Sequence, residues 1–395
     1  MPWIETDALS ERTDFILRSQ EPGANFAALC REYGISRKTG YKWRKRWKER
    51  GFRGLREMDR GVRPGASPLA CTAEMALAVV EIRRIHPTWG AKKIHAVLKR
   101  EHPGEDVPSR PTIGRILKRE GLTEKRPKRR RKVGPGKRPE VVVEAPNDLW
   151  TADFKGWWSS LGGRRCEPLT VRDAFSKKVL AVHLVAATSI EEVRAVFEDL
   201  FRRYGMPKAI LTDNGPPFAA NNSKVGLTKL SAWWVALGIR WHRSRPGCPQ
   251  DNGAHERMHR DMKAELQLSP EVDLERQQVA CERWRRAYNA ERPHEALGMK
   301  VPNDVYRRSR RPFPEGELQL VYPEAFKERR VTSQGTVRFH SRPELLSRGL
   351  AGQTVAFERL VDGRVRVWYA RFCLGVAELP WTGELRPPGR GVETL

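Results

Sequence analysis

Apolar positions change their period along the chain, and each change marks a domain. Residues 1–65 carry helical spacing: Phe26, Ala27, Leu29 and Cys30 recur until Tyr33-Gly34, and a second helix opens at Ser36. Gly34 suits a tight turn and Ser36 an N-cap, while Trp43 and Trp47 fall one turn apart on the side expected to be buried. After a Pro/Gly-rich break at 63–68, residues 72–122 repeat the theme. A helix carrying Met75, Leu77, Val79, Ile82 and Ile85 stops at His86-Pro87. A short one follows over 89–98, and a third opens at Ser109 with an early Pro111. Two α-helical helix-turn-helix domains are predicted, the second of a winged-helix-like kind.

Beyond a linker at 123–145 the period shortens. Residues 149–157, 165–173 and 179–185 read as strands. Residues 190–204 form an amphipathic helix opened by Ser189, with Glu191 and Glu192 complementing its dipole. Then come a strand over 207–212, a helix over 229–237, a strand over 239–242 and a helix over 252–266. This order predicts an α/β core with a mixed sheet over 146–305. From 310 to 395 the pattern is β: a hairpin at Asp362-Gly363 joins 354–361 to 364–369, and with 336–339 and 372–377 it predicts a small C-terminal β-barrel.

Charge changes the picture. The 395 residues hold 74 Lys+Arg against 48 Asp+Glu, a net charge of +26 that points to a polyanionic partner and salt-dependent binding. Between Lys125 and Arg138 stand nine Lys/Arg and no acid, among them Lys128, Arg129, Arg130 and Arg131. Such a segment suits an extended linker, either lying along phosphates or serving as a plain spacer. Arg37, Lys38, Lys42 and Lys45 on the first reading helix, and Arg110, Thr112, Arg115 and Lys118 on the second, are the candidates for double-stranded DNA. A solvated basic face on an ordinary helical hairpin is the blander alternative. No apolar run is long enough to span a membrane, and the N-terminus lacks a signal-peptide pattern. The six cysteines lack a CxxC, and His86, His95 and His102 lack cysteine neighbours, which argues against a disulfide scaffold and a structural zinc site. A cytoplasmic, nucleoid-associated protein is expected.

Three acids stand out by context. Asp153 lies within the first core strand, Asp213 follows the fourth, and Glu256 comes early on a helix after a glycine-containing turn. Carboxylates inside or at the end of apolar strands are costly unless paired or metal-bound, and a divalent cation resolves the repulsion between acids set close together. Asp251, with 37 residues between it and Asp213, competes for the third place, but beside Asn252-Gly253 it reads better as loop or cap chemistry. Trp157-Trp158 and Trp233-Trp234 read as packing in preference to base-stacking platforms, and Arg292-Pro293-His294 as either a DNA contact or a brace for the last core helix.

Trp150-x-x-Asp153, Thr212-Asp-Asn-Gly215, Asp251-Asn-Gly-x-x-Glu-Arg257 and Tyr288-Asn-x-x-Arg292-Pro-His-x-Ala-Leu-Gly298 resemble the integrase core of DDE transposases. The likeness is to the insertion-sequence IS481 and IS3 type, related to retroviral integrases. It extends forward through Gly34-Ile-Ser, Gly51-x-x-Gly-Leu55 and Trp89-Gly-Ala. The resemblance implies an RNase H-like fold, and Asp153, Asp213 and Glu256 as the catalytic, metal-binding triad for two Mg2+ ions, with Mn2+ as a substitute. Arg257, Arg260 and Lys263 would then bind terminal DNA phosphates, unless they are solvated helix charges. The 42 residues between Asp213 and Glu256 exceed the family's usual spacing, and the excess is assigned to 219–231.

The expected function is that of a transposase that binds terminal inverted repeats, cleaves DNA 3′ ends and transfers them into target DNA, working as a homo-oligomer on DNA. Two alternatives stand beside it: a metal-dependent nuclease without strand joining, and a DNA-binding regulator with an inactive core.

Overall fold

A left-handed Gly34, at φ +62°, turns the chain between two short helices near the N-terminus. The computed structural model describes residues 8–55, 71–123, 141–186, 188–220, 223–244, 253–339, 342–378 and 385, so Lys128, Arg129, Arg130, Arg131 and Asp251 lie outside the described residues. Two units are distinguished, 1–70 and 71–395. In the first, α1 (Ala8–Arg18), α2 (Phe26–Glu32) and α3 (Arg37–Arg50) surround Phe15, Ile16, Leu29, Cys30, Trp43 and Leu55. Asn25 caps α2 by accepting from the Ala27 and Ala28 N–H groups, and Ser36 caps α3 by accepting from Thr39. Gly40 is where α3 crosses its neighbours. A Cβ there would stand 2.7 Å from Cys30 Sγ and 2.9 Å from Phe26.

The second unit opens with α4 (Ala73–Ile85), α5 (Ala91–Glu101) and α6 (Arg110–Arg119) around Met75, Val79, Trp89, Ile94, Leu98, Ile113 and Leu117. Leu77 and Ile85, counted in the apolar stripe of α4, are instead exposed. The core sheet follows: β1 (Leu149–Phe154), β2 (Trp158–Ser159), β3 (Arg165–Asp173), β4 (Val179–Val185), β5 (Ala209–Thr212) and β6 (Arg240–Arg243). β3 pairs antiparallel with β1 and β4, while β1–β5 and β5–β6 are parallel, which gives the mixed order β4-β3-β1-β5-β6 with β2 beside the start of β3. This is the RNase H-like arrangement. α7 (Ile190–Tyr204) and α8 (Lys229–Ala236) cover one face with Phe197, Phe201, Trp233 and Trp234. α9 (Gly253–Met262), its π-turn continuation Lys263–Gln267 and α10 (Leu274–Ala290) cover the other with Met258, Met262, Leu266, Cys281 and Trp284.

Trp158, Trp233 and Trp234 pack as expected, but Trp157 is 57% exposed, with the Arg165 guanidinium over its ring. The last region departs further. β7 (Lys327–Arg330), β10 (Thr354–Arg359), β11 (Val365–Tyr369) and β12 (Phe372–Ala377) form an open antiparallel sheet in the order β12-β11-β10-β7. β8 (Thr336–Phe339) and β9 (Arg342–Leu345) form a separate hairpin. No closed barrel is present among the described residues. Pro343, lacking an N–H, sits in β9 and cannot donate to a further strand. The edge is taken instead by β7, whose Lys-Glu-Arg-Arg sequence carries no apolar alternation.

Candidate active site

β1 and β5 run parallel with a constant offset: Leu149 lies beside Ala209, Trp150 beside Ile210, and Thr151 beside Leu211. Continuing that offset sets Asp153 beside Asp213, on strands about 4.8 Å apart. Alternation fixes their direction. Trp150 and Ala152 enter the core under α7, so Asp153 points to the opposite face, toward α9 and α10. Ile210 enters the same core, and the Trp241 indole donates to Thr212 Oγ1 at 3.1 Å, which leaves Asp213 on the face of Asp153. Asp213 is exposed, yet enough protein surrounds it to push its carboxyl pKa up, and the Gly215 N–H pulls the other way. Asn214 donates to Ser244 O at 2.6 Å, fastening this turn to the end of β6.

Thr170 stands opposite Asp153 on β3, and its hydroxyl donates to the Asp153 carbonyl at 2.9 Å. A hydroxyl has one proton, so the 2.9 Å contact between Thr170 Oγ1 and His259 Nε2 requires the imidazole to donate. That contact sets a proton on Nε2. Burial, then the charges of Lys155 and Arg172, bring the His259 pKa down to about 3. This relay ties α9 to the backbone of Asp153. Glu256, one helical turn before His259, is exposed in the first turn of α9. Among the described residues no group of three or more His, Cys, Asp or Glu side chains lies close enough to hold a metal ion. The β1–β5 offset directs Asp153 and Asp213 toward one another, and Asp153, Asp213 and Glu256 do not form one such group.

Arg257, Arg260 and Lys263 are exposed along α9 and its continuation. Lys155, two residues past Asp153 and on its face, donates to Gln267 Oε1 at 3.2 Å, and burial lowers its pKa, with Lys263 adding to the effect. Lys155, Thr170 and His259 escaped the reading of the sequence. The one local signal for Lys155 is its even spacing from Asp153; His259 and Thr170 become informative only when α9 meets β3. On α3, Arg37, Lys38, Lys42 and Lys45 are all exposed, with Lys42 over the Trp43 ring and Lys45 3.8 Å from Glu49. On α6, Arg110, Arg115 and Lys118 are exposed, whereas Thr112 is half-buried and bonded to Ser109 at the helix start. His86 stacks on Trp89 with ring centroids 3.7 Å apart, His95 bonds to Pro108 O, and His102 meets Glu105. No helix among the described residues is long and apolar enough to cross a membrane.

Models of the integrase core domain match residues 143–249 and 237–302, and models of homeodomain-like domains match residues 7–56 and 39–117. The chain is 27% identical over 237 residues to an uncharacterized 31.7 kDa protein of insertion element IS407 from Burkholderia multivorans, covering 60% of this chain and 82% of that one. It is 28% identical over 237 residues to an uncharacterized 39.2 kDa protein of insertion element IS476 from Xanthomonas euvesicatoria, covering 60% of this chain and 65% of that one. A Pol polyprotein of radiation murine leukemia virus is 34% identical over 135 residues, which are 34% of this chain and 22% of the polyprotein. The chain thus carries an integrase core match over 143–302 with homeodomain-like domain matches ahead of it, and is similar to proteins of the insertion elements IS407 and IS476.

Proposed function

We propose that this protein is a DNA transposase, in which the helix-turn-helix domains bind the terminal inverted repeats of a mobile element and the core cleaves and joins DNA strands. The observation that carries the reading is the parallel register of β1 and β5, whose offset, carried two residues past the pair Thr151–Leu211, sets Asp153 beside Asp213 just beyond the end of β5. Two carboxylates at that separation repel each other in the absence of a cation and suit one in its presence. Asp153 on β1, Asp213 just after β5 and Glu256 in the first turn of α9 would hold the metal. Two bound Mg2+ ions, or Mn2+ in their place, would supply an activated nucleophile and a stabilised leaving 3′-oxygen. Arg257, Arg260, Lys263 and Lys155 hold the phosphates of the terminal duplex. Thr170 and His259 keep the helix aligned with β1.

In the first step water attacks the phosphodiester at the element's end, leaving a free 3′-hydroxyl on one fragment and a 5′-phosphate on the other. In the second, that hydroxyl attacks a target phosphodiester and a target 3′-hydroxyl departs. No covalent protein intermediate is needed. Tyr288 and Tyr306 are buried with raised phenol pKa values, which suits packing and not nucleophilic attack. Joining two ends in one event calls for at least two copies of the chain. A regulator with an idle core is the second reading, favoured by the lack of a three-carboxylate group among the described residues.

The experiment is incubation of the purified protein with Mg2+ and a linear duplex carrying the sequences that flank its gene. Joined products support the transposase and nicks alone a nuclease. Retention of the duplex without cleavage, in the presence of the metal, favours the regulator.

A further inference from the structure

Behind Glu256 lies a buried ionic contact. Asp261, five residues further along α9, is 1% exposed and pairs with Arg292, which is 8% exposed. Arg292 follows α10 and lies over the Tyr288 ring, 4.9 Å from its centroid, and His294 packs against the same ring. The segment that delivers Arg292 is anchored to the sheet: Asn289, three residues earlier, accepts from Val179 N–H and donates to Val179 O, each at 2.8 Å. On a helix of 3.6 residues per turn, His259 and Asp261 flank the buried Met258 and Met262 from opposite sides, about 160° apart. Apolar packing at Met258 and Met262 has no directional preference and resists rolling weakly. Two polar tethers on either side of that seat, one to β3 through His259 and one to Arg292 through Asp261, fix the rotation of the helix.

We propose that Arg292 is a positioning residue, which through Asp261 sets the rotation of α9 and so the direction in which Glu256 presents its carboxylate. The inference rests on the assignment of Glu256 as the third acid. It gives the Arg292-Pro293-His294 stretch an internal role, since a guanidinium this buried and already paired is not offered to a DNA phosphate. The second helical domain meets the same network. Thr88 donates to Glu265 Oε1 at 3.3 Å, and the Lys93 ammonium acts on Asp261 and Glu265.

The test uses the full chain with the flanking-sequence duplex and Mg2+, and compares Arg292→Gln, Arg292→Lys and the neutral pair Asp261→Asn/Arg292→Gln. Arg292→Gln is expected to lower the cleavage rate at saturating DNA at least tenfold while DNA affinity stays within threefold. Amide hydrogen exchange over 253–262, measured without DNA or metal, should quicken about tenfold with that of α7 unchanged. Arg292→Lys should restore slow exchange and part of the rate. Unchanged exchange and rate in Arg292→Gln would overturn the proposal, and so would a loss confined to DNA affinity, which would make Arg292 a DNA contact. Should Arg292→Gln fail to fold, the neutral pair decides. It leaves no lone buried charge, and a wild-type rate in it sinks the idea while a tenfold loss upholds it. Glu256→Gln is run beside them. If it keeps full activity, the acid assignment fails, while the exchange data still report whether Arg292 holds the helix.

Discussion

Asp153, Asp213 and Glu256 differ in how each is held, and neutralising each should give the same result for different reasons. Asp153→Asn and Asp213→Asn leave the strand register intact, and Glu256→Gln leaves α9 intact. Each should therefore keep DNA retention and lose cleavage by about 1000-fold or more, several kcal/mol of transition-state stabilisation. A variant that cleaves within tenfold of wild type removes that residue from the set. Gly40→Ala tests packing: its Cβ meets Cys30 Sγ at 2.7 Å with Phe26 and Phe15 close behind, so overpacking should cost about 2 kcal/mol, read as a lower Tm of the first unit. His86 sets a pH dependence. Burial, then the charges of Arg292 and Lys93, lower its pKa from 6.5 to about 4. The unfolded chain takes up that proton first, so the contribution is whole above pH 6.5 and is lost as pH falls from there through 4, at most about 3 kcal/mol. His86→Phe keeps the ring on Trp89 without the titration and should flatten the fall of Tm between pH 6.5 and 4; an equal slope would show that other groups govern it. At this scale the sequence discloses residues whose context is local: an acid in a strand, a serine before a helix. Asp261, His259 and Thr170 owe their roles to partners 17 to 89 residues away, which no local window along the chain contains.

Helices carry the DNA-facing predictions. α3 presents Arg37, Lys38, Lys42 and Lys45 to solvent and α6 presents Arg110, Arg115 and Lys118, each helix backed by its own apolar cluster. Replacing Lys42 or Lys118 with Ala should weaken duplex binding and reduce the slope of log K against log salt by about one for each phosphate no longer neutralised. An unaltered slope would mark that lysine as solvated charge. Asn289→Ala should cost about 1–3 kcal/mol by stranding the Val179 N–H and leaving the Val179 carbonyl to the longer bond from Arg285, measured by denaturant unfolding. Elements with strong periodicity are legible along the chain: 190–204 matches α7, and the strands at 165–173 and 179–185 match β3 and β4. Those that failed did so for physical reasons. β7 is a charged edge strand held by its pairing with β10, and the hairpin β8–β9 satisfies its own hydrogen bonds and does not close the sheet.

For the molecule, alternating strand and helix patterns made an α/β core legible, but not the way its parts share apolar surface. Leu227, with Ala232 and Val235 of α8, packs into the same cluster as Leu350, Val355, Phe357 and Val367 of the C-terminal sheet. Ser347 Oγ donates to the Leu227 carbonyl at 2.5 Å, and Gly349 approaches that backbone so closely that a Cβ would meet Leu227 O at 2.5 Å. The boundary near 310 seen in the sequence is therefore a change of pattern and not a seam at which the protein can be divided. A laboratory that trims the chain to its integrase domain alone would bare a greasy stripe on α8, and should expect clumping, dye uptake and poor yield where the longer polypeptide behaves.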